Sequence, residues 1–116
     1  MIIPKLYDLF ILEEEWGKYE KDFKVTVEAF IGSNGKEEHE EVFTFYVVSP
    51  TYLDVVTAKS SVEVGRGLII MKDFNIGVVE TQITRLLPHC SGDTWEKVSM
   101  LLNRYGYGEY EKHPFL

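Results

Sequence analysis

The sequence predicts an α+β fold: a mostly antiparallel sheet of four to five strands with three helices packed on one face, in the order βββαβααβ. Three observations predict it. Residues 23–48 read as two apolar strands joined by an Asn-Gly turn. The apolar spacing changes to a helical period after Pro50 and again beyond Asn75. Strands therefore cluster early and helices late, the pattern of a sheet with its helices segregated.

The 116 residues, 45% hydrophobic and 14% aromatic, are expected to form one packed domain over residues 1–116. A chain of this size buries roughly 65% of its unfolded surface without a disulfide or metal. Residues Ile2 to about Leu12 form the first strand, beginning past Pro4. The polar stretch Glu13 to Asp22 reads as a loop with Trp16 and Tyr19 as its anchors. Phe23, Val25, Val27 and Ala29 then alternate on one strand face. Gly32-Ser33-Asn34-Gly35 makes the turn, and Val42 to Val48 returns, rich in β-branched and aromatic residues.

Ser49 caps the first helix, with Pro50 at its first position; Tyr52, Leu53 and Val56 supply its stripe, and it ends near Ser60. Gly67-Leu68-Ile69-Ile70-Met71 is a continuous apolar run and reads as a central strand. Asp73 or Asn75 caps the next helix, where Ile76, Val79, Ile83, Leu86 and Leu87 recur at helical spacing; Pro88 and Gly92 close it. Gly92 is expected in a left-handed conformation, with Asp93 capping the last helix and Glu96 completing a capping box. Trp95, Val98, Leu101, Leu102 and Tyr105 form its core stripe. Residues 106–111 read as a turn and a short edge strand.

Charge is uneven. Residues 1–58 carry 12 Asp and Glu against 5 Lys and Arg, while residues 59–116 carry 7 of each, so the whole net charge of −7 lies in the first half. An acidic surface repels phosphate backbones and argues against direct nucleic-acid binding. It favours a basic protein partner. The single cysteine, Cys90, excludes an internal disulfide and suits a reducing cytoplasm. No signal peptide is visible, and no run approaches the ~18 apolar residues of a membrane span.

No catalytic, cofactor-binding or metal residue is expected. His39, His89 and His113 form no metal pair, and Cys90 cannot build a cysteine zinc site alone. No G-x-S-x-G elbow is present. Gly65-Arg66-Gly67 precedes a strand rather than a helix and reads as a turn. The acidic runs lack calcium-loop spacing.

Several stretches, taken in order, resemble the immunity protein 8 family of bacterial polymorphic toxin systems. They are Phe23 to Gly32, Val42 to Leu53, Gly65 to Ile70, Cys90-Ser91-Gly92-Asp93-Thr94-Trp95-Glu96 and the closing Glu109-Tyr110. The similarity spans residues 2–111. The family commonly ends in a Trp-Glu-Phe-like element, where this chain has Gly108-Glu109-Tyr110.

The resemblance implies a small, non-enzymatic cytoplasmic protein without a cofactor. It would bind and neutralise the C-terminal domain of a cognate toxin, including toxins of contact-dependent growth inhibition, which are often nucleases. The expected contact residues are Glu13, Glu14, Glu15, Glu37, Glu38, Glu40 and Glu41, whose carboxylates would face a basic substrate-binding surface, with Trp16 and Tyr19 as aromatic anchors. The competing expectation is a small ligand-binding or hydrolase-like α+β domain. It requires convergent polar groups on the strand faces, where the sequence offers mainly aromatics and aliphatics. A third is a subunit of a larger complex.

Overall fold

The structure is a computed structural model that describes residues 1–18, 21–35, 39–62 and 64–109. Strands β1 (Pro4–Trp16), β2 (Phe23–Ser33) and β3 (Glu40–Val48) come first, followed by α1 (Pro50–Ser60) and β4 (Leu68–Ile70). Then come α2 (Ile76–Leu86), a 3-10 turn (Leu87–Cys90), α3 (Trp95–Leu102) and β5 (Tyr107–Gly108). The element order and the α+β class are those the sequence predicts.

The sheet runs β1-β2-β3-β4, with β5 also pairing β3. The first three strands are antiparallel, whereas β4 runs parallel to β3 through Tyr46–Leu68, Val47–Ile69 and Val48–Ile70. The apolar run at Gly67 is thus an edge strand, not a central one. Beyond Val48 the chain enters α1, and β5 pairs Phe43 and Thr44 of β3, so β4 pairs only with Tyr46 to Val48, and Ile70 is exposed.

One sheet face holds the core. Phe23, Val25, Val27, Ala29 and Ile31 of β2 and Phe43, Phe45 and Val47 of β3 are buried there. Val79 and Ile83 of α2, Leu87 and Cys90 of the 3-10 turn, and Val98 and Leu102 of α3 cover them. The first helix does not join this layer, although the sequence reading put all three helices on one face. Tyr52, Leu53 and Val56 of α1 meet Lys24, Tyr46, Val48 and Leu68 on the opposite face, around a small cavity of about 50 Å³. Because α1 connects parallel neighbours, the handedness of such crossovers restricts it to one side of the sheet.

The first strand extends further than expected, with Glu13 to Trp16 continuing the pairing to Phe23. Two β-bulges make this possible, between Leu6 and Asp8 and between Ile11 and Glu13. Each adds one residue and so shifts the strand's alternation. Leu6, Leu9 and Ile11 therefore all pair with core-facing positions Ile31, Ala29 and Val27, and Glu14 and Trp16 with Val25 and Phe23. A strand without bulges could not point all five the same way. The Trp16 ring packs on Phe23 with centroids 5.2 Å apart and holds the strand's last pair in place.

Helix starts follow the sequence with one correction. Ser49 Oγ accepts from Tyr52 N–H, and Asn75 Oδ1 from Val78 N–H. In α3 the cap is Thr94, not Asp93: Thr94 Oγ1 accepts from Lys97 N–H at 3.2 Å. Lys97 then occupies the third helical position, so Asp93 and Glu96 cannot form the expected box. Glu96 instead sits in the first turn, where it complements the helix dipole, and Asp93 lies 3.6 Å from Lys97 on the surface. Gly92 is not left-handed either. It is buried and bridges Ile2, with Ile2 N–H donating to Gly92 O at 2.7 Å and Gly92 N–H to Ile2 O at 3.1 Å.

Candidate partner-binding surface

The register of β1, β2 and β3 decides where the expected contact residues point. Glu13 and Glu15 pair with Thr26 and Lys24, on the sheet face away from the main core. Glu14 and Trp16 point to the core side, at its exposed margin, where Trp16 Nε1 donates to Glu14 Oε1 at 3.2 Å. Glu40 begins β3 opposite Gly32 and is exposed. Tyr19, Glu37 and Glu38 lie outside the described residues. Along β2, eight residues separate Lys24 from Gly32, so the rows of Glu15 and Glu40 stand about 26 Å apart.

Between those ends the same face is not empty. Asp8 pairs with Phe30, and Phe10 with Glu28. Reading the outward positions of β2 in turn, each row therefore carries one carboxylate: Glu15 beside Lys24, Glu13 beside Thr26, Glu28 itself, Asp8 beside Phe30, and Glu40 beside Gly32. Successive rows are about 6.6 Å apart. Among the described residues, Lys24 and Lys5 also lie on this face. Lys24 Nζ lies 5.1 Å from the Tyr46 ring centroid, and Lys5 Nζ lies 5.4 Å from that of Tyr7.

Aromatic rings stand within this row of charges. Phe10 meets Phe30 edge-on with centroids 5.4 Å apart, and Phe10 is still 49% exposed. Tyr7, 53% exposed, covers Gly32 and donates its hydroxyl to Ser33 O at 2.6 Å. Sequence reasoning missed Asp8, Glu28, Phe10 and Phe30 because each is isolated in the chain. The alternation of β2 marks Glu28 and Phe30 as outward, but only the bulged register of β1 adds Asp8 and Phe10.

Glu41 behaves differently from its neighbours. Only 6% exposed, it points to the core side beneath α3. Its Oε1 accepts from Ser99 Oγ at 2.9 Å and Trp95 Nε1 at 3.3 Å. Beside it Asn103 Oδ1 accepts from Gly108 N–H at 2.7 Å, and the Arg66 guanidinium stacks 4.3 Å from the Tyr107 ring centroid. Glu41, Arg66, Trp95, Glu96, Ser99, Met100, Asn103 and Arg104 line a surface concavity of about 460 Å³. Here the stretches around Gly65 and Thr94 and the end of β5 converge, so these motifs act as joints of the fold.

Among the described residues, burial shifts the titration of Cys90 and Tyr46. Burial pushes the Cys90 thiol up, and the positive charge of Arg104 only partly offsets it. A raised thiol is protonated and unreactive near neutral pH. Burial also raises the Tyr46 phenol, with a smaller contribution from Tyr107. Among the described residues no group of three or more His, Cys, Asp or Glu side chains is placed to hold a metal ion. Among them, too, no helix is long and apolar enough to cross a membrane.

No curated protein and no solved structure matches the chain. The sequence model of one family, described as Immunity protein 8, matches residues 5–113, which takes in β1 from Lys5 onward and every later strand and helix described above. The chain belongs to the immunity protein 8 family.

Proposed function

We propose that this chain neutralises a toxin by binding the toxin's C-terminal domain, a nuclease, and covering the surface that holds its substrate. The immunity-protein family match supports inhibition of a toxin, and the distribution of charge supports a basic target. A nuclease must attract phosphates and is cationic at its active cleft. An inhibitor with the opposite field gains association rate and specificity, which matters when a toxin must be met before it turns over. The observation that carries this reading is the unbroken row of carboxylates from Glu15 to Glu40 along one sheet face.

In this reading the whole chain acts as one non-enzymatic domain in the cytoplasm of the cell that makes the toxin, delivered by contact or by another polymorphic system. Glu13, Glu15 and Glu40 contribute charge, and Glu14 and Trp16 contribute at the margin of β1. Glu41 contributes indirectly by fixing α3. Co-expression with the C-terminal domain of the toxin encoded beside it tests the proposal. Restored growth and a co-purifying complex support it; toxicity unchanged and no complex overturn it.

A further inference from the structure

We infer that the toxin docks on the open face of β1 and β2, with Phe10 and Phe30 as its apolar anchor. This rests on the inhibitor reading above and names its surface. The first helix covers only the end of that face at Lys24, Tyr46, Val48 and Leu68, and leaves Phe10 and Tyr7 about half exposed. An edge-to-face pair of phenylalanines left at the surface is costly in water and gains when a partner covers it. Around the pair stand Asp8, Glu13 and Glu28. An apolar centre with a charged rim is the anatomy of a protein interface, and buried aromatics dominate such interfaces energetically.

The same residues narrow the occupant to a cationic protein surface. Nucleic acid is repelled by the carboxylates. A second copy meeting this face with its own would set like charges against each other. Edge-to-edge pairing of β1 with another strand is blunted as well. Two bulges break its regular edge, and the Asp8 carboxylate accepts from Leu9 N–H at 2.9 Å. The remaining occupant has basic side chains to meet the carboxylates and an apolar group to cover Phe10.

The test measures binding of the inactivated toxin C-terminal domain at low and high salt, with circular dichroism to confirm that each variant folds. Phe10→Ala should weaken affinity at least about tenfold at both salt concentrations. Asp8→Lys with Glu28→Lys should weaken it more at low salt than at high and flatten the salt dependence. Glu96→Lys, beside the α3 concavity, should bind like the wild type. Wild-type binding with unchanged affinity in both face variants would overturn the inference and leave the inhibitor reading standing. No binding by the wild type would overturn both. A wild-type dimer that Phe10→Ala converts to monomer would give the face to a second copy and overturn the inference.

Discussion

Trp95 and Glu41, 54 residues apart in the chain, are joined by a hydrogen bond from the indole N–H to the carboxylate at 3.3 Å. Ser99 Oγ donates to the same oxygen, so one buried acceptor on β3 fixes two successive turns of α3. Glu41→Ala leaves both donors without their acceptor and should destabilise the protein by about 2 kcal/mol. Glu41→Gln retains a carbonyl oxygen and should cost less. Urea unfolding of both variants checks this, and equal losses would show that the acceptor is not what matters.

Ser49 has a comparable double role. Its hydroxyl accepts from Tyr52 N–H in the first turn of α1 and from Phe23 N–H at the start of β2, each at 3.1 Å. Replacement by alanine removes a helix cap and strands a buried strand donor, for an expected loss of about 2 to 3 kcal/mol. Serine-to-threonine should recover part of it. A loss below about 1 kcal/mol would mean that water takes over both N–H groups.

Gly67 combines two constraints. Its φ is +80°, and a Cβ there would come within 2.5 Å of the Tyr107 ring. Gly67→Ala should therefore cost about 2 kcal/mol or more, from left-handed strain and displacement of the ring. Gly35 also has positive φ, but a Cβ would meet nothing. Gly35→Ala should cost only the strain, about 1 kcal/mol. Thermal unfolding of the pair separates conformational strain from crowding.

Stability should fall in alkali. The Cys90 thiol and Tyr46 phenol are both raised by burial from ordinary values of 9.0 and 10.0. The folded chain thus keeps protons that the unfolded chain releases. Their contribution is complete below about pH 9 and is lost as pH rises through the folded values. Urea unfolding near pH 7 and near pH 10.5 should show the drop. Cys90→Ala should lessen it. In the folded protein at neutral pH a thiol reagent should react slowly with Cys90, and unfolding should speed the reaction.

Much of the fold was legible because local signals agreed with it. The alternation from Phe23 to Ala29, the Ser49-Pro50 helix start and the helical stripe from Val79 to Leu86 all stand as read, while Ile76 at the head of that stripe is exposed. What failed depended on partners distant in sequence. Glu13-Glu14-Glu15 looked like a loop because polar residues on a bulged edge strand show no simple alternation. Asp93 looked like a cap because nothing local reveals that Ile2 occupies Gly92. The proposed contact face was half legible: the acidic runs stood out, but Asp8, Glu28, Phe10 and Phe30 acquire meaning only when three strands are aligned.

The two bulges of β1 also determine which changes in length the chain can absorb. Tyr7 and Leu12 are the surplus residues, each lying between successive pairs with β2. Losing either one restores regular pairing and leaves every other side chain on its own face. Losing Phe10 or Leu9 instead inverts the strand on one side of the gap, turning carboxylates inward and leucines out. Relatives that gain or lose a single residue in this strand should therefore do so at those two points, where descent can alter the strand's length without altering what it presents.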